Sequence, residues 1–286
     1  MDTAYNRALD LNRSSGSTVT VMELGHFGFT VDPAASDVGL IENLGFGTLW
    51  VNGGQLDRLD VLTGLLAATD HAVVAPAIIP PDVFTPAEVV DLFRDAETAA
   101  PGRLMVGLGS SQHKPLSALT DYVDRLDAIP QDRRLLAAFG PRKLDIARHR
   151  FAGAIPGMFT PEYTAHARSR LGPNPLLAVG QYCVLDTDAD TARESARAPL
   201  RFLMGLRSYT DSARRQGFSA HDIGTLSDTL VDSVIAWGTP AGIVAHAQRH
   251  LTAGADHVYF SVLSDGSQPG GLDAARQLAS ALGVRR

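Results

Sequence analysis

Cysteine is almost absent from this sequence, and its scarcity excludes several kinds of site. Cys183 is the only cysteine among the 286 residues, so neither an intrachain disulfide nor a cysteine-rich metal site is possible. We expect this residue to pack inside a strand. The sequence does not open with a charged segment and an apolar core, and no apolar run of about 18 residues occurs, so neither a signal peptide nor a membrane-spanning helix is predicted. A cytoplasmic location is the default expectation.

An excess of positive charge is also lacking. The chain carries 31 acidic and 25 basic residues, a formal net charge of −6, and the basic residues are scattered along the sequence. Because nucleic-acid binding depends on clustered Lys and Arg, it is disfavoured. A hydrophobic fraction of 45% with 20% charged residues indicates a globular protein with a sizeable core. Neither nucleic acid nor a membrane is therefore expected as a partner.

Several catalytic and cofactor motifs are missing or incomplete. Gly107-Leu108-Gly109 is a fragment of the dinucleotide-binding motif, with Gln112 where the third glycine should be. No P-loop and no Gly-x-Ser-x-Gly elbow occurs, so neither a nucleotide kinase nor a serine hydrolase is indicated. His246 and His250 have a spacing compatible with metal binding on a helix, but no third ligand is apparent. We expect an exposed polar face there and no metal site.

Apolar strand-like runs, each followed by a polar loop and a helix, recur about eight times. Several helices are predicted to start at a capping residue followed by proline, an arrangement that leaves no backbone donor unsatisfied at the first position. The clearest start is Thr85-Pro86-Ala87-Glu88, which matches the capping box. The other starts of this type are Asp32-Pro33, Gly140-Pro141, Thr160-Pro161 and Thr239-Pro240. The predicted strands are 19–30, 46–51, 72–79, a run from 103, 135–139, 152–157, 176–185 and 256–263.

Eight such units in a chain of this size favour a parallel (β/α)8 barrel, the TIM barrel, which needs about 250 residues. An open doubly wound sheet is the less favoured arrangement. No internal linker rich in Pro, Gly or Ser is present, so we expect residues 19–286 to form a single domain after a flexible lead-in at 1–18. Between 217 and 237 the pattern is less regular, and a short helix is predicted from about 226 to 236.

In a TIM barrel the functional residues lie at the carboxyl ends of the strands. The segments that follow the predicted strands should therefore surround one cavity. They are Phe29-Thr30, Asn52-Gly53-Gly54, Ala77-Ile78-Ile79, Gly109-Ser110-Ser111-Gln112-His113, Phe139-Gly140, Gly157-Met158 and Ser261. Their glycines let a backbone or ligand approach closely, and their polar side chains supply hydrogen-bonding partners.

His26 and His113 are the only histidines expected near this cavity, with His26 on the first strand close to its rim. An imidazole titrates near neutral pH, so either is a candidate catalytic acid or base. The alternatives are a hydrogen-bonded core histidine for His26 and a solvated side chain for His113. Asn52 is a third candidate catalytic residue, which either orients a polar ring edge or caps its own turn.

Three segments together resemble the bacterial-luciferase-like superfamily and, within it, the deazaflavin-dependent (coenzyme F420) oxidoreductases common in actinobacteria. The resemblance extends over most of the chain from Met22 to Leu263. It rests on the residues 101–110 (Pro-Gly-Arg-Leu-Met-Val-Gly-Leu-Gly-Ser), 136–141 (Leu-Ala-Ala-Phe-Gly-Pro), and 237–240 (Trp-Gly-Thr-Pro) followed by 253–258 (Ala-Gly-Ala-Asp-His-Val). Each segment is weak alone, and their order and spacing make the match fairly specific.

The resemblance implies a luciferase-like TIM barrel that binds coenzyme F420, or alternatively FMN, across the strand mouths and moves a hydride between the cofactor and a small organic substrate. In that family a non-prolyl cis peptide on the third strand backs the ring, and the matching position is Ala77-Ile78. The cofactor tail would contact Gly109, Ser110 and Ser111. The phosphate would be held by backbone amides near Phe139, Gly140, Gly157 and Met158.

Gln112 departs from the sugar-phosphate dehydrogenase branch of the family, which carries an acidic residue just after the fourth-strand glycines. Glutamine cannot exchange a proton, so that branch's chemistry is not implied and His26 remains the acid-base candidate. The loop from 112 to 134 is short for the superfamily, which points to an open pocket or to a second subunit in a homodimer. Two alternatives stay open: an FMN-dependent monooxygenase on the same barrel, and a cofactor-binding barrel without turnover.

Overall fold

The computed structural model describes residues 24–111 and 113–283, and within these ranges the chain forms a nearly closed barrel of eight parallel strands. The barrel strands are β1 (Phe27–Thr30), β2 (Thr48–Asn52), β3 (Val73–Ala77), β4 (Val106–Leu108), β5 (Arg134–Leu136), β6 (Gly153–Ala154), β7 (Leu176–Val184) and β9 (His257–Val262). They follow one another in the order β3-β2-β1-β9-β7-β6-β5-β4. Single bridges from Val74 to Leu104 and from Ile79 to Leu108 join the two ends of this order.

Helices lie between the strands around the barrel. In the described ranges they are α1 (Val38–Glu42), α2 (Asp60–Ala67), α3 (Pro86–Ala99), α4 (Ser117–Val123), α5 (Pro141–Arg150), α6 (Pro161–Leu171), α7 (Ala189–Met204), α8 (Arg207–Arg215), α9 (Ala220–Thr225), α10 (Asp228–Val234), α11 (Pro240–Thr252) and α12 (Gly271–Leu282). The predicted TIM barrel is confirmed, and its eight strands are the eight expected. The predicted lead-in at 1–18 and the start of the first predicted strand lie outside the described residues.

Threonine-proline pairs start three of these helices as predicted. The side chains of Thr85, Thr160 and Thr239 each accept a hydrogen bond from a backbone N–H in the first turn of α3, α6 and α11. At α3 the reciprocal bond is also present, because Glu88 accepts from the Thr85 backbone at 2.8 Å. Helix α5 begins at Gly140-Pro141 without a side-chain cap, so its first-turn N–H groups lack this kind of partner.

One local prediction is wrong, and another is confirmed only in part. Asp32-Pro33 does not start a helix: the Asp32 side chain accepts from the Ala34 N–H at 2.9 Å, which closes a turn, and α1 begins only at Val38. The short helix predicted from about 226 to 236 is present as α10, but it ends at Val234 and the chain continues as a further strand, β8 (Ile235–Trp237). This strand pairs with the far end of β7, beyond the point where β6 stops.

The barrel interior and the layer between strands and helices hold separate apolar clusters. Trp50, Met105, Leu135, Ile155 and Tyr259 lie in the interior cluster. Outward-facing strand residues pack under the helices, and Cys183 is buried among them as expected. Burial of both faces accounts for the almost continuous apolar runs of the strand sequences. No helix in the described part of the chain is long and apolar enough to cross a membrane.

His246 and His250 on α11 are buried, so the expected exposed face is wrong. The His246 ring nitrogen Nδ1 lies 3.0 Å from the Gln181 side-chain oxygen, and His250 Nδ1 lies 2.8 Å from the Thr164 hydroxyl. These partners make the pair a polar link between α11, α6 and β7. Among the described residues no cluster of three or more His, Cys, Asp or Glu side chains is placed to hold a metal ion.

Candidate active site at the mouth of the barrel

A row of inward-facing hydroxyl groups crosses three neighbouring strands at their carboxyl ends. Phe29 pairs with Phe260, which sets Thr30 level with Ser261, and Ser261 pairs with Tyr182. The residue two positions before Thr30 faces the barrel interior, since a methyl group at Gly28 would meet Trp50 and His257 at 2.7 Å. Strand side chains alternate between faces, so Thr30, Ser261 and Tyr182 also face the interior.

One hydroxyl in this row has no partner among the described residues. The Asn52 side-chain amide donates to the Ser261 hydroxyl at 3.3 Å. The Thr30 hydroxyl oxygen beside them is buried without a hydrogen bond. Because leaving a buried polar atom unpaired costs about 1–3 kcal/mol, this position at the mouth suits a ligand that brings a polar edge.

Two aromatic layers lie under and beside this row. Trp50 stacks on Tyr259 with ring centroids 4.2 Å apart and donates to His257 at 3.0 Å, which fills the barrel below the mouth. Tyr209, on α8, shares a hydrogen bond with Tyr182. Burial raises the pKa of both phenols. These side chains give the mouth an uncharged floor and wall.

The third strand meets β2 and β4 in very close contact where it leaves the barrel. The peptide bond between Ala77 and Ile78 is cis, as the resemblance implied. A methyl group at Gly53 would lie 2.6 Å from the Ile78 carbonyl oxygen, and one at Gly109 would lie 2.5 Å from the Ile78 side chain. Gly53 is therefore needed for the Ile78 backbone to occupy this wall of the mouth, whereas a methyl group at Gly109 would require only the end of the Ile78 side chain to move.

A cavity of about 360 Å³ opens beside the mouth, between the loop after β4, the start of α5 and helix α8. Phe139 connects the two spaces, because it lines the cavity and lies 4.8 Å, centroid to centroid, from Tyr209. The cavity wall is rich in cations. Its charged residues are Lys114, Arg142, Lys143, Arg207, Arg215 and Asp211.

Three of these cations have no counter-ion among the residues that the structure describes. Lys114 pairs with Asp82 at 3.3 Å and Arg207 with Asp211 at 3.5 Å. Arg142, Lys143 and Arg215 make no ion pair with any described residue. Burial, and next the neighbouring charge of Arg215, lower the pKa of Lys143. Together with the uncapped first turn of α5, this wall is suited to an anion such as a phosphate.

The predicted tail-binding loop is only partly available for binding. Ser110 and Ser111 both line the cavity. The Ser111 hydroxyl, however, accepts from the backbone N–H groups of His113 and Lys114 at 3.0 and 2.9 Å and bonds Asp82. His113 is exposed on this loop. Gln112, which stands where the sugar-phosphate dehydrogenase branch carries an acidic residue, lies outside the described residues.

The predicted phosphate amides separate into two groups. Phe139 and Gly140 line the cationic cavity. Gly157 and Met158 lie instead against β7, where Gly157 bridges Gly180 and the Met158 N–H donates to the Gly180 carbonyl at 3.4 Å. The structure therefore does not bring Gly157 and Met158 to the cavity.

His26 is not close to the rim, which corrects its predicted placement. It is exposed and precedes β1, whose first residue is Phe27. Because the mouth lies where the parallel strands end, His26 occupies the opposite end of the barrel. The prediction failed because the strand was expected to start at 19, which would have placed residue 26 near its end.

Sequence reasoning also missed most of the side chains that shape the site. Lys143 and Arg215 come from two helices, and Tyr182 and Tyr209 from a strand and a helix. Only Tyr182 carried a usable signal, since its place near the end of a predicted strand put it at the mouth. The others required knowledge of how α5 and α8 pack.

Several solved structures share the fold of this barrel. An F420-dependent tetrahydromethanopterin reductase from Methanopyrus kandleri is 14% identical and superposes with a TM-score of 0.66, covering 90% of this chain and 98% of that chain. An F420-dependent secondary alcohol dehydrogenase, bound to an F420–acetone adduct, is 15% identical, with a TM-score of 0.64 and coverage of 90% and 97%. The FMN-bound oxygenating constituent of 3,6-diketocamphane monooxygenase from Pseudomonas putida is 11% identical, with a TM-score of 0.58 and coverage of 90% and 98%.

At these identities, the superpositions establish the TIM-barrel fold and nothing further. No family model matches the sequence, and no curated protein does.

Proposed function

We propose that this protein is an oxidoreductase that binds a deazaflavin, coenzyme F420, and transfers a hydride between it and a small organic substrate. One observation carries the proposal: a cation-rich cavity adjoins an uncharged, hydroxyl-lined barrel mouth, and Phe139 lies between them. A cofactor with a polar ring and an anionic tail matches both parts. Proteins of similar fold include F420-dependent enzymes and an FMN-bound monooxygenase component, which supports an oxidoreductase, while the choice of deazaflavin rests on the charge of the cavity.

The tail would be held by the cavity wall. Arg142, Lys143 and Arg215 supply unpaired positive charge, and the first turn of α5 supplies backbone N–H groups around Gly140. Charge-assisted hydrogen bonds to phosphate are about twice as strong as neutral ones. The Ser110 hydroxyl is the available side chain of the loop after β4.

The ring would be held at the mouth. Thr30, Asn52 and Ser261 are placed to bond its polar edge, and the Ala77–Ile78 segment would back one face. A deazaflavin, when bound, supplies the hydride chemistry, and the protein supplies position and electrostatics. The Trp50 and Tyr259 rings close the barrel below, which keeps water from entering the site from that side.

The charge of the cavity favours a deazaflavin over FMN. FMN carries one phosphate, whereas coenzyme F420 carries a phosphodiester followed by glutamyl carboxylates. The cavity wall holds three unpaired cations, with Lys114 and Arg207 close by, and this is more positive charge than one phosphate group needs. An FMN-dependent monooxygenase remains the alternative that this charge count disfavours.

A cofactor titration followed by absorbance tests the proposal. We expect deazaflavin to bind with a dissociation constant in the micromolar range or below. Lys143→Gln should weaken that binding about 10-fold or more, because a hydrogen bond to a charged group contributes about 1.5–3 kcal/mol. Arg148→Gln is the matched control, since Arg148 lies at the far end of α5, outside the cavity wall, and should leave binding unchanged.

If the protein binds neither deazaflavin nor FMN, both the deazaflavin-dependent oxidoreductase and the FMN-dependent monooxygenase are contradicted. Binding without turnover of any carbonyl, alcohol or alkene would identify a cofactor-binding barrel instead. Equal weakening by Lys143→Gln and Arg148→Gln would show that the cavity wall is not the tail site.

A further inference from the structure

Three tyrosines form a connected group on the inner wall of the mouth, which we call the phenol cluster: Tyr182 of β7, Tyr209 of α8 and Tyr259 of β9. Tyr182 belongs to the same inward-facing row as Ser261 and Thr30. Tyr259 lies one layer deeper, where its hydroxyl would be 2.5 Å from a methyl group at Gly180. Tyr209 reaches the cluster from above, packed against Phe139.

Tyr182 and Tyr209 act on each other through their hydroxyl groups, because each shifts the pKa of the other through a side-chain hydrogen bond. A phenol has one O–H to donate and an oxygen that accepts. Apart from Tyr209, no described residue accepts from the Tyr182 O–H, so with Tyr209 as the donor of the pair this O–H is free to donate into the mouth. Tyr182 and Tyr209 are both partly exposed.

The surroundings of the cluster are uncharged. The groups that shift the pKa values of the three phenols are one another and their own burial. The His257 imidazole lies 6.4 Å from Tyr259, between ring centroids, and burial lowers its pKa to about 4, so this ring is neutral at pH 7. The neighbouring polar side chains at the mouth are Thr30, Asn52 and Ser261. A cationic substrate such as an iminium would need a carboxylate here, whereas a neutral carbonyl oxygen needs only a hydrogen-bond donor.

We propose that Tyr182 is the proton donor of the reaction, that Tyr209 positions it, and that the substrate is an uncharged ketone or aldehyde. This inference rests on the proposed function, because the reduced deazaflavin is the reductant. Hydride addition forms a C–H bond at the carbonyl carbon and moves the C=O π pair to the oxygen. The Tyr182 O–H bond breaks and its proton goes to that oxygen, giving the alcohol. Tyr182 regains a proton through Tyr209 or from solvent.

The first test measures the hydrogen bond from Tyr182 to the substrate carbonyl directly. Protein loaded with oxidised deazaflavin, which cannot reduce the ketone, is mixed with 13C=O-labelled acetophenone or acetone, and the carbonyl stretch is recorded by infrared spectroscopy. We expect a band shifted to lower frequency in the wild type, unshifted in Tyr182→Phe and shifted less in Tyr209→Phe. Tyr122→Phe is the control, because Tyr122 is a buried phenol on α4 that donates to the Phe84 carbonyl at 2.8 Å, away from the mouth.

The second test measures the turnover rate with reduced deazaflavin. Tyr182→Phe should lower kcat about 100-fold or more, the usual range for loss of a general acid, with deazaflavin affinity unchanged. Wild-type kcat should stay level from pH 7 to 9, since burial raises the pKa of Tyr182; a fall above about pH 6.5 would indicate an imidazole donor.

The outcomes separate this inference from the proposed function. An unchanged carbonyl band in Tyr182→Phe, or no ketone binding to the loaded wild type, overturns the inference while deazaflavin binding stands. Failure to load deazaflavin at all, seen by absorbance in the same sample, overturns the proposed function and this inference with it.

Discussion

Lys143 is a cation held close to another cation in a partly buried position. Burial and the charge of Arg215 both oppose its protonation and lower its pKa. An anion bound between them would reverse the second effect. The residue is therefore a sensitive reporter of whether the cavity takes an anionic tail.

Deazaflavin affinity should consequently depend on pH through Lys143. The ammonium group is present below its lowered pKa and absent above it, so binding should weaken as pH rises, and at a lower pH than the ordinary lysine value of 10.5 would cause. Lys143→Arg should move the weakening to higher pH, because a guanidinium keeps its charge there. Affinity measured by absorbance from pH 7 to 10 checks this, and an identical profile for both proteins would rule out Lys143 as the group responsible.

The buried histidines of α11 predict how stability responds to acid. Burial, and next the charge of Arg249, lower the pKa of His246 to about 4, and burial followed by His246 lowers that of His250 to about 3. The unfolded chain, with histidine pKa values near 6.5, then binds more protons than the folded chain as pH falls below 6.5. Stability from these groups is fully present above pH 6.5, is lost as pH falls from 6.5 to about 4 for His246 and to about 3 for His250, and levels off below those folded pKa values.

His246→Gln should make the free energy of unfolding less steep over that window. Each buried neutral histidine contributes a slope of up to about 1.4 kcal/mol per pH unit. Urea denaturation at several pH values between 4 and 7 measures it. Thr252→Ala, an exposed non-titrating change on the same helix, is the control. A slope that does not differ from the wild type would show that His246 is protonated in the folded protein.

At the residue scale, sequence reasoning located hydroxyl and amide groups better than charged ones. Asn52, Ser261 and the Ala77–Ile78 segment lie at the mouth as predicted, because each follows a strong apolar run. His26 was assigned to the wrong end of the barrel. A residue can be assigned to one end of a strand only when the first residue of that strand is known, and β1 begins later than predicted. Lys143 gave no signal, because its neighbour Arg215 is distant in the sequence and close only in the fold.

At the scale of elements, the segments that follow β2 and β3 approach each other very closely at the mouth. A methyl group at Gly53 would lie within 2.6–2.8 Å of the Ile78 backbone, which cannot move away as a side-chain end can. At the adjacent Gly54, the same methyl group would meet nothing within 4 Å. The two glycines therefore form a matched pair.

Gly53→Ala should destabilise the protein by about 1–3 kcal/mol, as overpacking does, and should weaken deazaflavin binding by displacing the Ile78 segment. Gly54→Ala should change neither property. Thermal unfolding and the absorbance titration measure the two effects. If Gly53→Ala binds deazaflavin as the wild type does, this segment is not part of the cofactor site.

Element boundaries were predictable where capping chemistry was explicit. The Thr-Pro starts of α3, α6 and α11 are confirmed, since threonine caps and proline fits the first turn without competing structures. Asp32-Pro33 has the same capping chemistry, but its carboxylate closes a local turn instead. Strand β8 was missed because Ile235–Trp237 is short and follows α10 directly, without a turn residue to mark the change.

At the scale of the whole molecule, the barrel brings together residues that are far apart in the chain. Asn52 and Ser261 are 209 positions apart and share a hydrogen bond. The repeat of strand and helix was enough to predict this architecture, because eight parallel strands in a chain of this length close on themselves. The cation-rich cavity was not predictable, since it forms where α5, α8 and the loop after β4 meet.

The proposed function depends most on which cofactor the whole protein selects. An equilibrium competition measures this directly: protein at fixed concentration is mixed with deazaflavin and FMN together, and the bound fraction of each is determined from its absorbance after separation of free ligand. We expect deazaflavin to be retained in excess over FMN, and the excess to shrink in Lys143→Gln. Preferential retention of FMN, or retention of neither, would contradict the proposed function.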